Sequence, residues 1–360
     1  MIQSVSLAGD YDRTHRVYAA GVRAGCAPSS GRCALLLTTS DGAVRWTAAA
    51  AARWEGGDIA TARHAGRDVL LASAPGGVQV SNDGGASFGA ARGPVGRIVV
   101  TDPDAPDVAV SSAGPALYRV GEGTARTYAP FDLRNPTFVL SPAYAAPRGP
   151  AALVSGTDPQ TGFPVVERCD AAFTCGQRVV LLPKKDVPRL FLSPRFDSDG
   201  VVVATTVSGT TWLSRDHGAT FTPVTVQRPG PDAAVTTVQS VAFTPDFDGR
   251  RGTGAVYAAV LSVRNDASAA ATVHGGVYRA TDPGGAWTKF GGRSRLDTGA
   301  TAVVAAPDGR VYAAYLDARR GRAGVLCARG ARWGSGCAFP RAARRPAGGA
   351  PSTAAVPGRP

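Results

Sequence analysis

Gly77-Val78-Gln79-Val80-Ser81-Asn82-Asp83-Gly84-Gly85-Ala86-Ser87-Phe88 decides the fold, because its second half returns in register as Ser214-Arg215-Asp216-His217-Gly218-Ala219-Thr220-Phe221. The pattern is Ser/Thr-x-Asp-x-Gly-x-x-aromatic. Thr39-Ser40-Asp41-Gly42-Ala43-Val44-Arg45-Trp46 is an imperfect copy with Ala in the Gly place. Ala280-Thr281-Asp282-Pro283-Gly284-Gly285-Ala286-Trp287 is another, with Ala in the Ser place. Asp and Ser side chains hold tight turns through nearby backbone N–H groups, Gly accepts backbone angles other residues resist, and an aromatic ring buries a large apolar area. Each copy therefore reads as a hairpin clip, and a clip that recurs implies a repeat architecture.

The flanks read as strand. Gly77-Val78-Gln79-Val80 precedes one copy, Thr211-Trp212-Leu213 another and Gly276-Val277-Tyr278-Arg279 the last, each a short β-branched or aromatic run bounded by turn residues. A second recurring element is strand, Pro/Asp turn, strand. It is clear in Phe191-Leu192-Ser193-Pro194-Arg195-Phe196-Asp197-Ser198-Asp199-Gly200-Val201 and Val241-Ala242-Phe243-Thr244-Pro245-Asp246-Phe247-Asp248. It is weaker in Ser4 to Asp12 and Phe138 to Tyr144.

With these segments in view, the chain resembles the Asp-box, or BNR, repeats of sialidase-like β-propellers and their non-catalytic relatives. The resemblance implies an all-β fold, and counting strand-turn-strand openings near Gln3, Asp58, Arg97, Asn135, Pro188, Thr236 and Gly299 predicts a seven-bladed propeller of four-stranded antiparallel blades. The propeller is expected over residues 1–340, with a closing strand near Phe88 in the second repeat. Residues 341–360, an Arg/Ala/Pro/Gly-rich run without periodicity, read as a disordered tail or linker. The chain offers no extra strand to mix its two ends in one blade, which makes the seam between first and last repeats the weak point of the ring.

In this resemblance the clip residues are structural: Thr39, Asp41, Trp46, Ser81, Asp83, Gly85, Phe88, Ser214, Asp216, Gly218, Phe221, Asp282, Gly284 and Trp287. They are not expected to be catalytic. Catalytic sialidases carry a Phe/Tyr-Arg-Ile-Pro element near their start, and the nearest strings here, Gly96-Arg97-Ile98-Val99 and Pro188-Arg189-Leu190-Phe191, do not match it. The xyloglucan-cleaving relatives resemble two propellers facing across a cleft, and this chain has material for one. The histidines His15, His64, His217 and His274 fall in unrelated repeats. Asp197-Ser198-Asp199-Gly200 is a fragment of a calcium loop without its remaining ligands, so a plain turn is expected. No catalytic, cofactor or metal residue is assigned.

The Cys pairs Cys26 with Cys33, Cys169 with Cys175, and Cys327 with Cys337 are close in sequence and suggest local disulfides. Zinc competes as an explanation, but its ligand pairs normally stand closer together. Disulfides imply an oxidising compartment, so an extracellular or cell-surface location is expected although no export signal is visible at the amino end. The formal charge of +12 is carried almost wholly by scattered arginines, with Lys184, Lys185 and Lys289 the lysines. That dispersion argues against nucleic-acid binding. No run reaches the roughly 18 apolar residues of a membrane span.

The leading expectation is a monomeric, exported, non-catalytic binding or scaffold propeller for a protein or carbohydrate ligand. Its specificity would lie in the polar connections Thr157 to Gly162 and Arg264 to Thr272. The alternatives are a glycoside hydrolase of the sialidase-like superfamily, acting as an exo-sialidase or on xyloglucan, and a propeller like the photosystem assembly factors.

Overall fold

The computed structural model describes residues 2–8, 10–22, 34–40, 46–48, 59–64, 67–74, 76–92, 97–100, 107–111, 115–119, 124–144, 147–181, 186–206, 208–226, 235–263, 273–291, 299–317, 322–330 and 332–334. Antiparallel sheets follow one another along the chain, each a meander of consecutive strands. Blade one is β1 (Ile2–Leu7), β2 (Val17–Val22), β3 (Ala34–Thr39) and β4 (Thr47–Ala48), with a helical turn α1 (Tyr11–Thr14) between its first two strands. A three-stranded sheet follows: β5 (Ile59–His64), β6 (Arg67–Ala74) and β7 (Gly77–Ser81). Blade two is β8 (Arg97–Val100), β9 (Asp107–Ser111), β10 (Pro115–Arg119) and β11 (Thr124–Thr127); blade three is β12 (Arg134–Leu140), β13 (Ala152–Thr157), β14 (Pro164–Cys169) and β15 (Cys175–Val180). Blade four holds β16 (Arg189–Leu192), the helical turn α2 (Phe196–Asp199), β17 (Val202–Thr205), β18 (Thr211–Ser214) and β19 (Thr222–Val224). Blade five is β20 (Val235–Phe243), β21 (Val256–Val263), β22 (Val273–Ala280) and β23 (Thr288–Lys289); blade six is β24 (Ala300–Ala305), β25 (Arg310–Asp317), β26 (Arg322–Arg329) and β27 (Trp333–Gly334).

The fold is thus an all-β propeller, but the expected count of seven four-stranded blades is wrong: among the described residues six sheets have four strands. The departure lies where a closing strand was expected near Phe88. There Gly89 N–H bonds Val80 O at 2.9 Å, whereas Val78 exchanges bonds with Arg92. One residue of β7, Gln79, thus opposes two of the returning chain, Ala90 and Ala91, which is the geometry of a bulge. The segment Gly89-Ala90-Ala91-Arg92 has no β-branched residue to favour a regular ladder. The return therefore makes a bridge and no continuous fourth strand among the described residues.

The first strands stand side by side around the ring: β24 packs against β1, β1 against β5, β5 against β8, β8 against β12, β12 against β16, and β20 against β24. Among the described residues blade one and blade six are each built from one end of the chain, and they meet by packing, with no strand shared between them. Inner strands are covered on both faces, which is why β17 reads Val-Val-Ala-Thr with every residue buried, while the outer β15 has no buried residue. The apolar clusters lie between sheets. Val201, Val203 and Leu213 of blade four meet Val256, Ala258 and Val260 of blade five, and Tyr11, Val17 and Ala19 meet Tyr312 and Ala314 across the seam.

Because consecutive strands are antiparallel, the turns after first and third strands share one end of every blade. The turns after second strands and the connections between blades share the other. This topology separates a turn-bearing face from a loop-bearing face.

Candidate functional site

The recurring Ser-x-Asp turns follow third strands and so lie on the turn-bearing face. In one, Ser81 Oγ accepts from Gly85 N–H at 2.8 Å and donates to Asp83 at 2.7 Å. Asp83 also accepts from the backbone N–H and the hydroxyl of Ser87, at 2.9 and 2.5 Å. The copy at Ser214 repeats each bond: Gly218 N–H to Ser214 at 2.8 Å, Ser214 to Asp216 at 2.8 Å, and Thr220 to Asp216 at 2.9 and 2.6 Å. Gly85 and Gly218 have φ of 91° and 81°, the left-handed region that favours glycine.

Hydrogen bonds from Ser87 and Ser81 hold the Asp83 carboxyl down at about 2. For Asp216, burial pushes the pKa upward, but bonds from Thr220 and Ser214 outweigh it and the net direction is down. Both carboxylates are committed to their own turns.

In the third copy, Ala280 supplies no hydroxyl. Gly284 N–H bonds the Asp282 carboxylate directly at 2.8 Å, and Asp282 is also paired with Arg215 of the neighbouring blade. Of the first copy, Thr39 and Trp46 are placed and Asp41 lies outside the described residues. The four aromatics behave alike. Trp46, Phe88, Phe221 and Trp287 each pack into the apolar cluster that their own sheet shares with the preceding one.

Cys169 and Cys175 form a disulfide across β14 and β15. Cys327 is also disulfide-bonded. Cys26, Cys33 and Cys337 lie outside the described residues.

The turn-bearing face holds a polar network that sequence reading missed. Tyr11 and Tyr312 meet hydroxyl to hydroxyl at 2.8 Å, and Tyr11 reaches the Asp308 carboxylate at 3.3 Å. Asp308 is ion-paired with buried Arg310, and His15 Nδ1 stands 4.0 Å from it. Desolvation and the Arg310 charge lower the His15 pKa, with Asp12 opposing. Proximity to Asp308 would favour the imidazolium, but Arg310 already neutralises that carboxylate. Burial raises both tyrosines.

Similar links join other first turns. Ser141 donates to Asp197 at 3.0 Å, and Gly249 N–H to Asp199 at 3.0 Å. The supposed calcium-loop fragment is therefore a helical turn whose carboxylates tie blades together. Among the described residues no group of His, Cys, Asp and Glu has a metal-binding arrangement. The available signal was the aromatic repeated at Tyr11, Tyr144, Phe196 and Phe247, all buried.

The loop-bearing face carries the ligand-accessible features. In the turn from β13 to β14, buried Asp158 accepts from Gln160 N–H at 2.9 Å, and Gly162 N–H bonds Asp158 O at 2.8 Å. Arg178 braces this turn. Its guanidinium lies 3.7 Å from Asp158, donates to buried Glu167 at 2.5 Å, and reaches Asp132 in the preceding connection at 3.0 Å. Gln160 and Thr161 remain exposed at the tip. The other expected loop, 264–272, lies outside the described residues.

Between blades four and five the same face opens into a cavity of about 270 Å³. Thr210 just before β18, Thr211 at its start, Thr225 and Val226 after β19, and Val238 and Val260 from blade five are among its walls.

No protein-family model matches the chain, and no curated protein sequence matches it significantly. Solved structures do. The chain is similar to YCF48 from Cyanidioschyzon merolae, at 13% identity and a TM-score of 0.52, over 87% of this chain and 92% of that one. It is also similar to a puromycin-hydrolyzing peptidase of Mycobacterium tuberculosis, at 14% identity and a TM-score of 0.55. That match covers 91% of this chain and 50% of the peptidase. These structures are β-propellers, and at such identities the likeness extends to the fold alone. No helix among the described residues is long and apolar enough to cross a membrane.

Proposed function

We propose that this chain is an exported, non-catalytic propeller that acts as a single copy and binds a protein partner through its loop-bearing face. The observation that carries the reading is the braced turn at Asp158. Its backbone is fixed by hydrogen bonds to Asp158 and by Arg178, while Gln160 and Thr161 face solvent. A loop already held in one conformation has little ordering entropy to lose on binding. Kinship with Asp-box propellers belongs to the same proposal and is supported by the matching bonds at Asp83 and Asp216. The Cys169–Cys175 disulfide supports export.

The test is affinity capture from extracellular extract, followed by direct titration of the purified captured protein against wild type and a Gln160→Ala/Thr161→Ala variant. The expected result is saturable binding weakened in the variant, with no turnover of a fluorogenic sialoside or of xyloglucan. Hydrolysis of either substrate, or binding indifferent to the loop, would overturn the reading.

A further inference from the structure

We infer that the Cys169–Cys175 bridge is a dithiol-operated switch: opening it on the turn-bearing face releases the braced Asp158 turn on the loop-bearing face. The switch is a property of the turn itself, and its use in ligand binding rests on the reading above.

The bridge encloses an unfavourable backbone. Phe173, within the loop that the disulfide closes, has a φ of 57°. A bulky side chain is rare in that left-handed region and persists only where its surroundings impose it. Here they do. Asp170 Oδ1 accepts from the N–H groups of Ala172 and Thr174 at 2.8 and 2.9 Å, on either side of Phe173. The buried Phe173 ring stands among four others, with centroids 5.0 Å away at Tyr128, 5.6 Å at Phe138, 6.1 Å at Tyr144 and 6.2 Å at Phe131. Once the covalent ring is opened, the turn gains conformations in which Phe173 relaxes and leaves this stack.

Two routes lead from the turn to the Asp158 brace. Along β15, the Cys169–Cys175 and Glu167–Arg178 pairs are neighbours in the ladder with β14, and the register is irregular between them. The bridge therefore anchors the strand that carries Arg178 where regular pairing lapses. Across the blade, Phe131 packs on Phe173 while the next residue, Asp132, pairs with Arg178 at 3.0 Å. Loss of the stack loosens the guanidinium from both sides.

The chemistry is thiol–disulfide exchange. A thiolate of a dithiol reagent attacks Cys175 Sγ, because Cys175 is half-buried whereas Cys169 is 2% exposed. The bond between the two sulfurs breaks, and Cys169 leaves as a thiolate that takes up a proton. The reagent's second thiol then resolves the mixed disulfide. The protein gains two electrons and two protons as a pair of thiols, and the dithiol is oxidised to a disulfide.

The experiment is amide hydrogen exchange of the intact protein, read by mass spectrometry, with and without dithiothreitol. Iodoacetamide labelling of a parallel sample confirms that Cys169 and Cys175 have opened. Exchange is expected to quicken by about tenfold or more in the Tyr128 to Asp132 segment and at Gln160 and Gly162, whose N–H groups bond Asp158, while the other blades keep their protection. Cys169→Ser/Cys175→Ser should exchange as fast at these places without reagent and show no further response there. Should that variant fail to fold, Phe173→Gly keeps the bridge and accepts the same backbone angle. It removes the ring, so it should exchange fast at the same places with the bridge closed.

A bridge that stays closed in dithiothreitol, unchanged exchange at these places once it is open, loss of protection in every blade together, or a full reagent response in the double variant overturns the inference. A captured partner that binds the oxidised and reduced protein equally, while exchange at Gln160 changes, removes the loop-face reading and keeps the switch.

Discussion

The hydroxyls of Tyr11 and Tyr312 lie 2.8 Å apart although 301 positions separate them in the chain. They join the first turn of blade one to the second strand of blade six, where no strand is shared between the chain ends among the described residues. Tyr11 and Tyr312 are both almost wholly buried, so the contact acts where water cannot substitute for it. Tyr11→Phe leaves Tyr312 without this partner and should cost about 1–3 kcal/mol, measured as a lower urea midpoint at unchanged slope. Tyr312→Phe should cost a similar amount. The double variant should lose less than the sum, since both single changes remove one interaction.

His15 makes the seam sensitive to acid. Its folded pKa lies below the ordinary 6.5 through desolvation and the Arg310 charge. The unfolded chain therefore takes up a proton that the folded chain resists, and stability is lost as pH falls below 6.5. His15→Gln should flatten the fall in melting temperature over that window. A wild-type profile equally flat there would contradict this account.

Asp83 and Asp216 set a second, more acidic dependence. Their folded pKa values are depressed from 3.8, Asp83 to about 2, so their contribution is complete above 3.8 and is lost as pH falls through each folded value. Asp83→Asn and Asp216→Asn should each reduce the steepness of acid unfolding below 3.8, followed by far-ultraviolet circular dichroism. Asp83 is open to solvent, so salt and water limit the size of its effect.

The Cys169–Cys175 bridge closes a short loop with a sequence separation of 6. Replacing both residues by Ala should cost about 2 kcal/mol, the loop-entropy value for a ring of that size. Mass spectrometry of an unreduced digest should show Cys169 and Cys175 in one linked species. A free thiol at either position would remove the support for an oxidising compartment.

The turn chemistry was legible because its bonds span few residues. Ser81, Asp83, Gly85 and Ser87 satisfy one another within a single turn, and the same letters at Ser214 to Thr220 reproduce the bonds. Ala280 shows the rule from the other side, since losing one hydroxyl redirects Gly284 N–H to Asp282. The blade count was less legible. A closing strand was expected near Phe88, but the bulge that sets Val80 against Gly89 and Val78 against Arg92 depends on register, which the sequence pattern does not state. Of the candidate binding face, the turn at Thr157 to Gly162 stood out as a polar insertion. Its brace did not, because Arg178, Glu167 and Asp132 come from separate strands and connections.

The sequence by itself determined the repeating strand-turn-strand unit, its clips and the pairing of Cys169 with Cys175, since each depends on neighbours a few residues away. Only the tertiary structure decided the six four-stranded blades, the Tyr11–Tyr312 seam and the cavity between blades four and five. Those features exist where distant segments meet once the ring closes. Their geometry follows from sheet register and inter-blade packing, which no local pattern of residues encodes.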